Sequence, residues 1–144
     1  MRIVLDTNVL VSGLLTPYGA PADVVRMVVS GAVTLCVDAR ILLEYTEVLA
    51  RPRFAFPPGP VHALLDLVVA EGLQVAAEPL VIRLPDPDDE PFLEVALAGD
   101  AACLVTGNLT HYPPAARAGM AVLAPSEFLR WFRLRRVPSP RSPR

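Results

Sequence analysis

Apolar residues come in short runs along this chain, each closed by polar turn formers. Arg2-Ile3-Val4-Leu5 is the first, ended by Asp6-Thr7-Asn8. A short, partly β-branched run with such a boundary predicts a strand buried on both faces, the kind found in parallel sheets. Val9–Leu15 predicts a short helix, stopped by Thr16-Pro17-Tyr18-Gly19. Pro21 opens a helix over Ala22–Ser30, with Val24, Val25, Val28 and Val29 inward and Gly31 as the stop. Val33–Val37 is a second buried strand. Asp38 then caps a helix running to about Arg51, on which Ile41, Tyr45 and Val48 share a face widened by Leu42, Leu43 and Leu49. Arg53–Pro60 is a proline-bounded loop containing Phe54 and Phe56.

The second half repeats the alternation less cleanly. Val61–Glu71 predicts a helix ending at Gly72. Leu73–Ala76 and Leu80–Arg83 are short extended pieces of weak type. Phe92–Ala98 predicts a helix with Pro91 in its first turn, and Ala101–Thr106 a third buried strand turned by Gly107. His111-Tyr112-Pro113-Pro114 is a loop. Ala121–Ala124 is a fourth strand candidate, and Pro125-Ser126 opens a last helix through Phe128, Leu129 and Phe132, with Trp131 docking it. Strands separated by helices predict an α/β fold: a parallel sheet, right-handed crossovers and helices on both faces.

Composition narrows this picture. A chain of 144 residues, more than half of them hydrophobic, is one domain with a real core. No apolar stretch is long or clean enough to span a membrane, and the start lacks a signal-peptide cleavage site, so a cytoplasmic protein is expected. Cys36 and Cys103 lie inside apolar runs and read as reduced core thiols. Two cysteines and two distant histidines give no zinc-finger spacing. There is no lysine; all 13 basic residues are arginine. That excludes P-loop phosphate binding, Schiff-base chemistry and any lysine base.

Charge is uneven. Residues 1–129 hold all 15 carboxylates and seven arginines, a formal charge of −8, whereas the last 15 residues hold six arginines and no acid. An acidic body that approaches a polyanion needs cations to do so. The domain is expected over residues 1–132, and the Pro/Arg-rich segment 133–144 as a basic tail, disordered past about Val137. Such a tail either touches nucleic acid or merely solubilises.

The carboxylates carry the candidate chemistry. Asp6 stands at the carboxyl end of the first strand, where open α/β sheets bind ligands, though Asp6 or Asn8 could simply cap the next helix. Glu44 lies on or beside the inward stripe of its helix and needs a positive partner: Arg40, four residues earlier, or a metal ion. Glu47 reads as a surface ion pair with Arg51. Asp86, Asp88, Asp89 and Glu90 put four carboxylates in five positions at a helix start. Helix capping explains one or two of them, and a solvated loop is the plain reading of the rest. Strand carboxyl ends in a parallel sheet meet on one edge, which gathers Asp6, Asn108 and the acidic turn, with Glu44 leaning in. Oxygen ligands without Cys or His suit Mg²⁺ or Mn²⁺. The predicted chemistry is metal-assisted hydrolysis of a phosphoester or phosphodiester. No histidine is positioned as a base: His62 and His111 read as structural or solvated.

The ordered set of motifs resembles the PIN-domain family, of the VapC-like group that forms the toxin component of toxin–antitoxin pairs. The resemblance rests on Ile3-Val4-Leu5-Asp6-Thr7-Asn8-Val9-Leu10, Glu44 in its helix, Asp86-Pro-Asp-Asp-Glu-Pro-Phe-Leu-Glu-Val-Ala96 and Leu104-Val-Thr-Gly-Asn108. It implies a three-layer, Rossmann-like α/β/α sandwich and a Mg²⁺- or Mn²⁺-dependent ribonuclease. It also implies a homodimer and a small inhibitory antitoxin. Asp6, Glu44 and Asp89 match the metal-binding and catalytic carboxylates, with Asp86 as an extra or substitute ligand and Thr106 and Asn8 as supporting groups. The fourth acidic position falls on Asn108, an amide, which can bind metal through its carbonyl or orient a water; Asp100 is too far back to replace it. Two other classes compete. A phosphatase of the haloacid-dehalogenase type wants an aspartate where Asn8 stands, and it and receiver domains want a lysine. A catalytically silent PIN-like module binding RNA or a protein is favoured by Asn108, while the acidic body disfavours strong RNA binding without metal.

Overall fold

The computed structural model describes residues 1–136. Its centre is a parallel sheet of five strands: β1 (Arg2–Leu5), β2 (Thr34–Val37), β3 (Leu73–Gln74), β4 (Cys103–Val105) and β5 (Val122–Leu123), in the order β3-β2-β1-β4-β5. Ile3 lies between Leu35 and Cys103, and Leu5 pairs with Val105. Ile3, Val4 and Leu5 are wholly buried, as a central strand covered on both faces requires.

Six helices flank the sheet: α1 (Thr7–Leu15), α2 (Ala20–Ser30), α3 (Ala39–Leu49), α4 (Pro58–Glu71), α5 (Glu90–Ala98) and α6 (Pro125–Arg136). The architecture is the expected α/β/α sandwich. Asp38 caps α3, its side chain accepting from the Ile41 amide at 3.0 Å. Gly13 lets α1 and α2 meet: a Cβ there would stand 2.6 Å from Val25 Cγ2 and 2.8 Å from the Pro21 carbonyl oxygen. Tyr45, Phe92, Tyr112 and Phe128 fill the core as wholly buried aromatics. No helix among the described residues is long and apolar enough to cross a membrane.

Four local expectations are corrected. Val29 and Leu43 are 56% and 59% exposed, because the helical period carries them off the inner faces held by Val24, Val25 and Val28, and by Ile41, Tyr45 and Leu49. Leu80–Arg83 forms no strand; its neighbourhood gives backbone hydrogens to carboxylates instead, Leu80 N to Glu94 and Leu84 N to Glu90. Leu73–Gln74 is the edge strand, so Cys103–Val105 is fourth in the chain rather than third. Among the described residues Glu47 and Arg51 form no ion pair, and both are exposed. In addition, α6 continues through Arg136, so 133–136 is helical; the remaining tail, 137–144, lies outside the described residues.

The topology fixes where a ligand meets the sheet. From β1 the chain steps outward to β2 and β3, then returns to β4 on the other side of β1. β1 and β4 therefore flank the switch point, whose carboxyl-end crevice is the usual ligand site of open α/β sheets.

Candidate active site

Asp6 and Thr106 leave β1 and β4 side by side at that crevice. The Asp6 amide donates to the Val105 carbonyl at 2.9 Å. Asp6 is the N-cap residue of α1, and the Asn8 amide favours its ionised form, but its side chain makes no geometrically good cap bond and is engaged elsewhere. Its Oδ2 instead accepts from Thr106 Oγ1 at 2.9 Å and from the Tyr112 hydroxyl at 3.0 Å. Asp6 is only 5% exposed. Burial raises its proton affinity, and those two hydrogen bonds oppose the rise. The buried Tyr112 phenol is pushed far above its ordinary range, by burial first and by the Asp6 charge, so it stays a donor.

The Asn8 side chain does not cap α1 either. Its Oδ1 accepts from Gly107 N at 2.9 Å, tying the start of α1 to the turn after β4. Thr7 Oγ1 donates to Glu44 Oε2, which draws that half-buried carboxylate toward Asp6. Arg40 is not the partner of Glu44. It pairs with Asp38 and with Glu94, both at 2.7 Å. Burial raises the proton affinity of Glu44, the charges of Asp6 and Asp88 add to the rise, and the Arg51 charge opposes it.

The acidic turn divides its labour. Asp86 accepts from the Asp88 amide at 2.9 Å and so caps the single 3₁₀ turn Pro87–Asp89; it is exposed. Asp88 is exposed too. Glu90 turns away and takes Arg83 Nε at 2.7 Å and Nη2 at 2.8 Å. Asp89 is the half-buried one of the three aspartates, and its charge is felt with that of Asp6. Its Oδ2 is buried with no hydrogen-bond partner among the described residues. His111 Nδ1 lies 3.1 Å away, off the line of a good hydrogen bond. Burial pushes the Asp89 carboxyl up to about 6; the Asp6 charge adds to the rise, and His111 opposes it.

Asn108 is an organiser rather than a free ligand. Its backbone N donates to Thr106 Oγ1 at 3.1 Å, its Oδ1 accepts from Thr110 Oγ1 at 2.7 Å, and its Nδ2 lies 2.8 Å from His111 Nε2. With Oδ1 accepting, Nδ2 is the donor, and Nε2 of His111 is the acceptor. The other ring nitrogen, Nδ1, is left on the side of Asp89.

Chain comparison agrees with this geometry. A PIN-domain family model matches residues 2–110. The chain belongs to the PIN-domain family. No curated protein matches it. PIN domains have a nuclease-type fold and typically work with divalent metal ions, so the coarse chemistry here is nuclease-type hydrolysis.

Within this PIN domain, Asp6, Glu44, Asp89, Thr106, Asn8 and Asn108 converge on the edge, while exposed Asp86 caps the turn beside them and its charge adds to the rise of Asp89. His111 and Tyr112 are the residues that sequence reasoning missed. For His111 a signal existed: it stands three after Asn108 across the 3₁₀ turn Leu109–His111, where positions three apart eclipse. Tyr112 had none, because its partner Asp6 is 106 residues away.

The donor chemistry suits a hard cation. The three carboxylates are all raised in proton affinity, no arginine pairs with them among the described residues, and one buried oxygen is bare. Yet no three His, Cys, Asp or Glu side chains among the described residues stand close enough to enclose an ion by themselves. Mg²⁺ needs no such cage, since it keeps several waters and takes one or two carboxylates directly.

Proposed function

We propose that this PIN domain is a metal-dependent endoribonuclease, using Mg²⁺ or Mn²⁺ to hydrolyse RNA phosphodiester bonds. Asp6, Glu44 and Asp89 are its metal-binding and catalytic carboxylates. The observation that carries the reading is the buried Asp89 Oδ2 beside Asp6, which among the described residues has no hydrogen-bond partner and lies in an acidic centre that no arginine ion pair neutralises. A bound ion supplies charge neutralisation, a water of lowered pKa and stabilisation of the leaving oxygen. The chain's residues set the frame. Thr106 and Tyr112 hold Oδ2 of Asp6 and so fix the carboxylate at the end of β1. Thr7 holds Glu44, and Asn108 holds His111 against Asp89.

The reading extends to a toxin of a type II pair, acting in the cytoplasm as a homodimer restrained by a small antitoxin. The resemblance of the motifs supports that extension, and the exposed Tyr18, Leu15 and Leu43 offer apolar surface for contacts between chains.

Calorimetric titration of Mn²⁺ and Mg²⁺ into wild type and Asp6→Asn, with RNA cleavage followed in the same samples, tests the proposal. Saturable binding and cleavage in wild type, both lost in the variant, support it. Absence of binding overturns it. Binding without cleavage of any RNA favours the second reading, a silent PIN-like module. Asn108 favours that reading as well, because its amide is engaged at both ends instead of adding a charge.

A further inference from the structure

We infer that the loop 51–56 is a binding site for single-stranded RNA, with phosphates on Arg51 and Arg53 and an unpaired base on the Phe54–Phe56 stack. The inference rests on the nuclease reading and names the surface that would present RNA to Asp6, Glu44 and Asp89.

The arginines of residues 1–129 point here by elimination. Five of the seven arginines before Leu129 are engaged. Arg2 and Arg117 donate to the Gly99 and Tyr112 carbonyls; Arg26, Arg40 and Arg83 pair with carboxylates. Arg51 and Arg53 are exposed and, among the described residues, have neither a carboxylate nor a carbonyl as a side-chain partner. Arg51 stands two residues past the end of α3, the helix that carries Glu44, and its charge favours the ionised form of that carboxylate. Arg51 thus lies in the electrostatic reach of the carboxylate edge.

The same loop carries flat apolar faces. Phe54 and Phe56 stack with centroids 5.4 Å apart and planes 20° from parallel. The Arg53 guanidinium lies over the Phe54 ring at 4.8 Å from its centroid. Ala55 sits in the left-handed region, φ 52°, where the chain reverses between the two phenylalanines. Both side chains are half-buried, so each keeps some contact with solvent. Aromatic faces beside cations are what single-stranded nucleic acid uses: bases stack without sequence preference while phosphates take the charge. A duplex keeps its bases stacked on each other and offers none. Within residues 1–129, of formal charge −8, these two arginines are the cations left open to a polyanion. Arg130 and Arg133 on α6 are exposed as well but have, among the described residues, no paired aromatic faces like those of Phe54 and Phe56 beside them.

The test is fluorescence anisotropy of a short labelled oligouridine with the full chain in EDTA, where cleavage plays no part. Arg51→Gln/Arg53→Gln should weaken binding about 10-fold and flatten the plot of log affinity against log salt by about 1.4, the share of two single-strand phosphate contacts. Phe54→Leu/Phe56→Leu, which keeps apolar volume, should weaken oligouridine about 10-fold yet leave an abasic oligomer unchanged. Thermal unfolding checks that each variant is folded. Arg130→Gln/Arg133→Gln on α6 should bind as wild type. Wild-type affinity in the loop variants, a loss that follows the α6 variant instead, or no binding by wild type would each overturn the inference. Loop-dependent binding with no cleavage in Mn²⁺ keeps this site and defeats the nuclease reading. Cleavage with unchanged affinity and KM in the loop variants does the reverse.

Discussion

Two groups of carboxylates lie a few residues apart in this chain and meet opposite fates. On the flank of α5, Glu90 takes Arg83, and Glu94 takes Arg40, which also holds Asp38. Hydrogen bonds from Arg83 hold the Glu90 carboxyl below its ordinary range. At the carboxyl edge of β1 and β4, Asp6, Glu44 and Asp89 all rise above theirs. The difference lies in the supplied counter-charge. A fold that needed these carboxylates only for structure would pair them, as it does on the flank. The edge instead accumulates negative charge against its own stability, which is how a site for an external cation is built.

Asp6→Asn should split the two roles most sharply. RNA cleavage should fall about 100-fold or more, the scale for removing one preorganised charge-stabilising group. The metal-free protein should melt higher than wild type, because a buried charge without a cation is gone. Mn²⁺ at 100 times its dissociation constant should stabilise wild type by about 2.7 kcal/mol and the variant far less. An Asp6→Asn protein that cleaves normally, or gains as much from Mn²⁺, would collapse the contrast between edge and flank.

The converse experiment is Arg40→Met. It strips the flank of a cation and leaves the buried Glu94 with only the Leu80 amide. The expected loss is about 2 kcal/mol, below the full cost of an orphaned buried charge because Arg40 is half open to water. Urea unfolding with and without Mn²⁺ measures it. The loss should be the same in both, since no ion is expected on the flank.

This contrast was only half visible in the sequence. Ile3–Leu5, Leu35–Val37 and Cys103–Val105 declared themselves because strands buried on both faces are unbroken apolar runs. Asp6 was legible as the residue after such a run, and Asp38 as a cap. The pairings were not legible. Arg40 looked like the partner of Glu44 because sequence reasoning sees four residues along a helix, whereas Glu94, the true partner, is 54 residues away. Likewise Asp89 and Glu90 are neighbours that point to opposite regions. Nothing in a run of acids says which one will be met by Arg83 and which left bare. The two-residue edge strand β3 was equally faint, since it has one neighbouring strand and too few positions to show a period.

The smallest predicted effect is one of pH, and its sign separates edge from flank. Asp89 in the folded protein sits near 6, above its ordinary value of 3.8. A group raised on folding contributes stability that is present below its ordinary value and is lost as pH rises through the folded one. Metal-free protein should therefore lose stability between pH 5 and 7 on account of this group, by about 1 kcal/mol after allowing for screening at the open side. Asp6 and Glu44 rise in the same sense, so the slope belongs to the cluster, and Asp89→Asn should shrink it rather than abolish it. Glu90, lowered on folding, acts oppositely: its contribution is present above the ordinary carboxylate range and fades as acid reaches the lowered value. Thermal melts in EDTA across pH 3 to 8 read both limbs, and Glu90→Gln should flatten only the acid one. With Mn²⁺ bound the neutral limb should reverse, because an ion competes with protons for the same oxygens. A neutral limb that Asp89→Asn leaves unchanged would mean that the edge carboxylates do not share one field, and the cation site would lose its electrostatic basis.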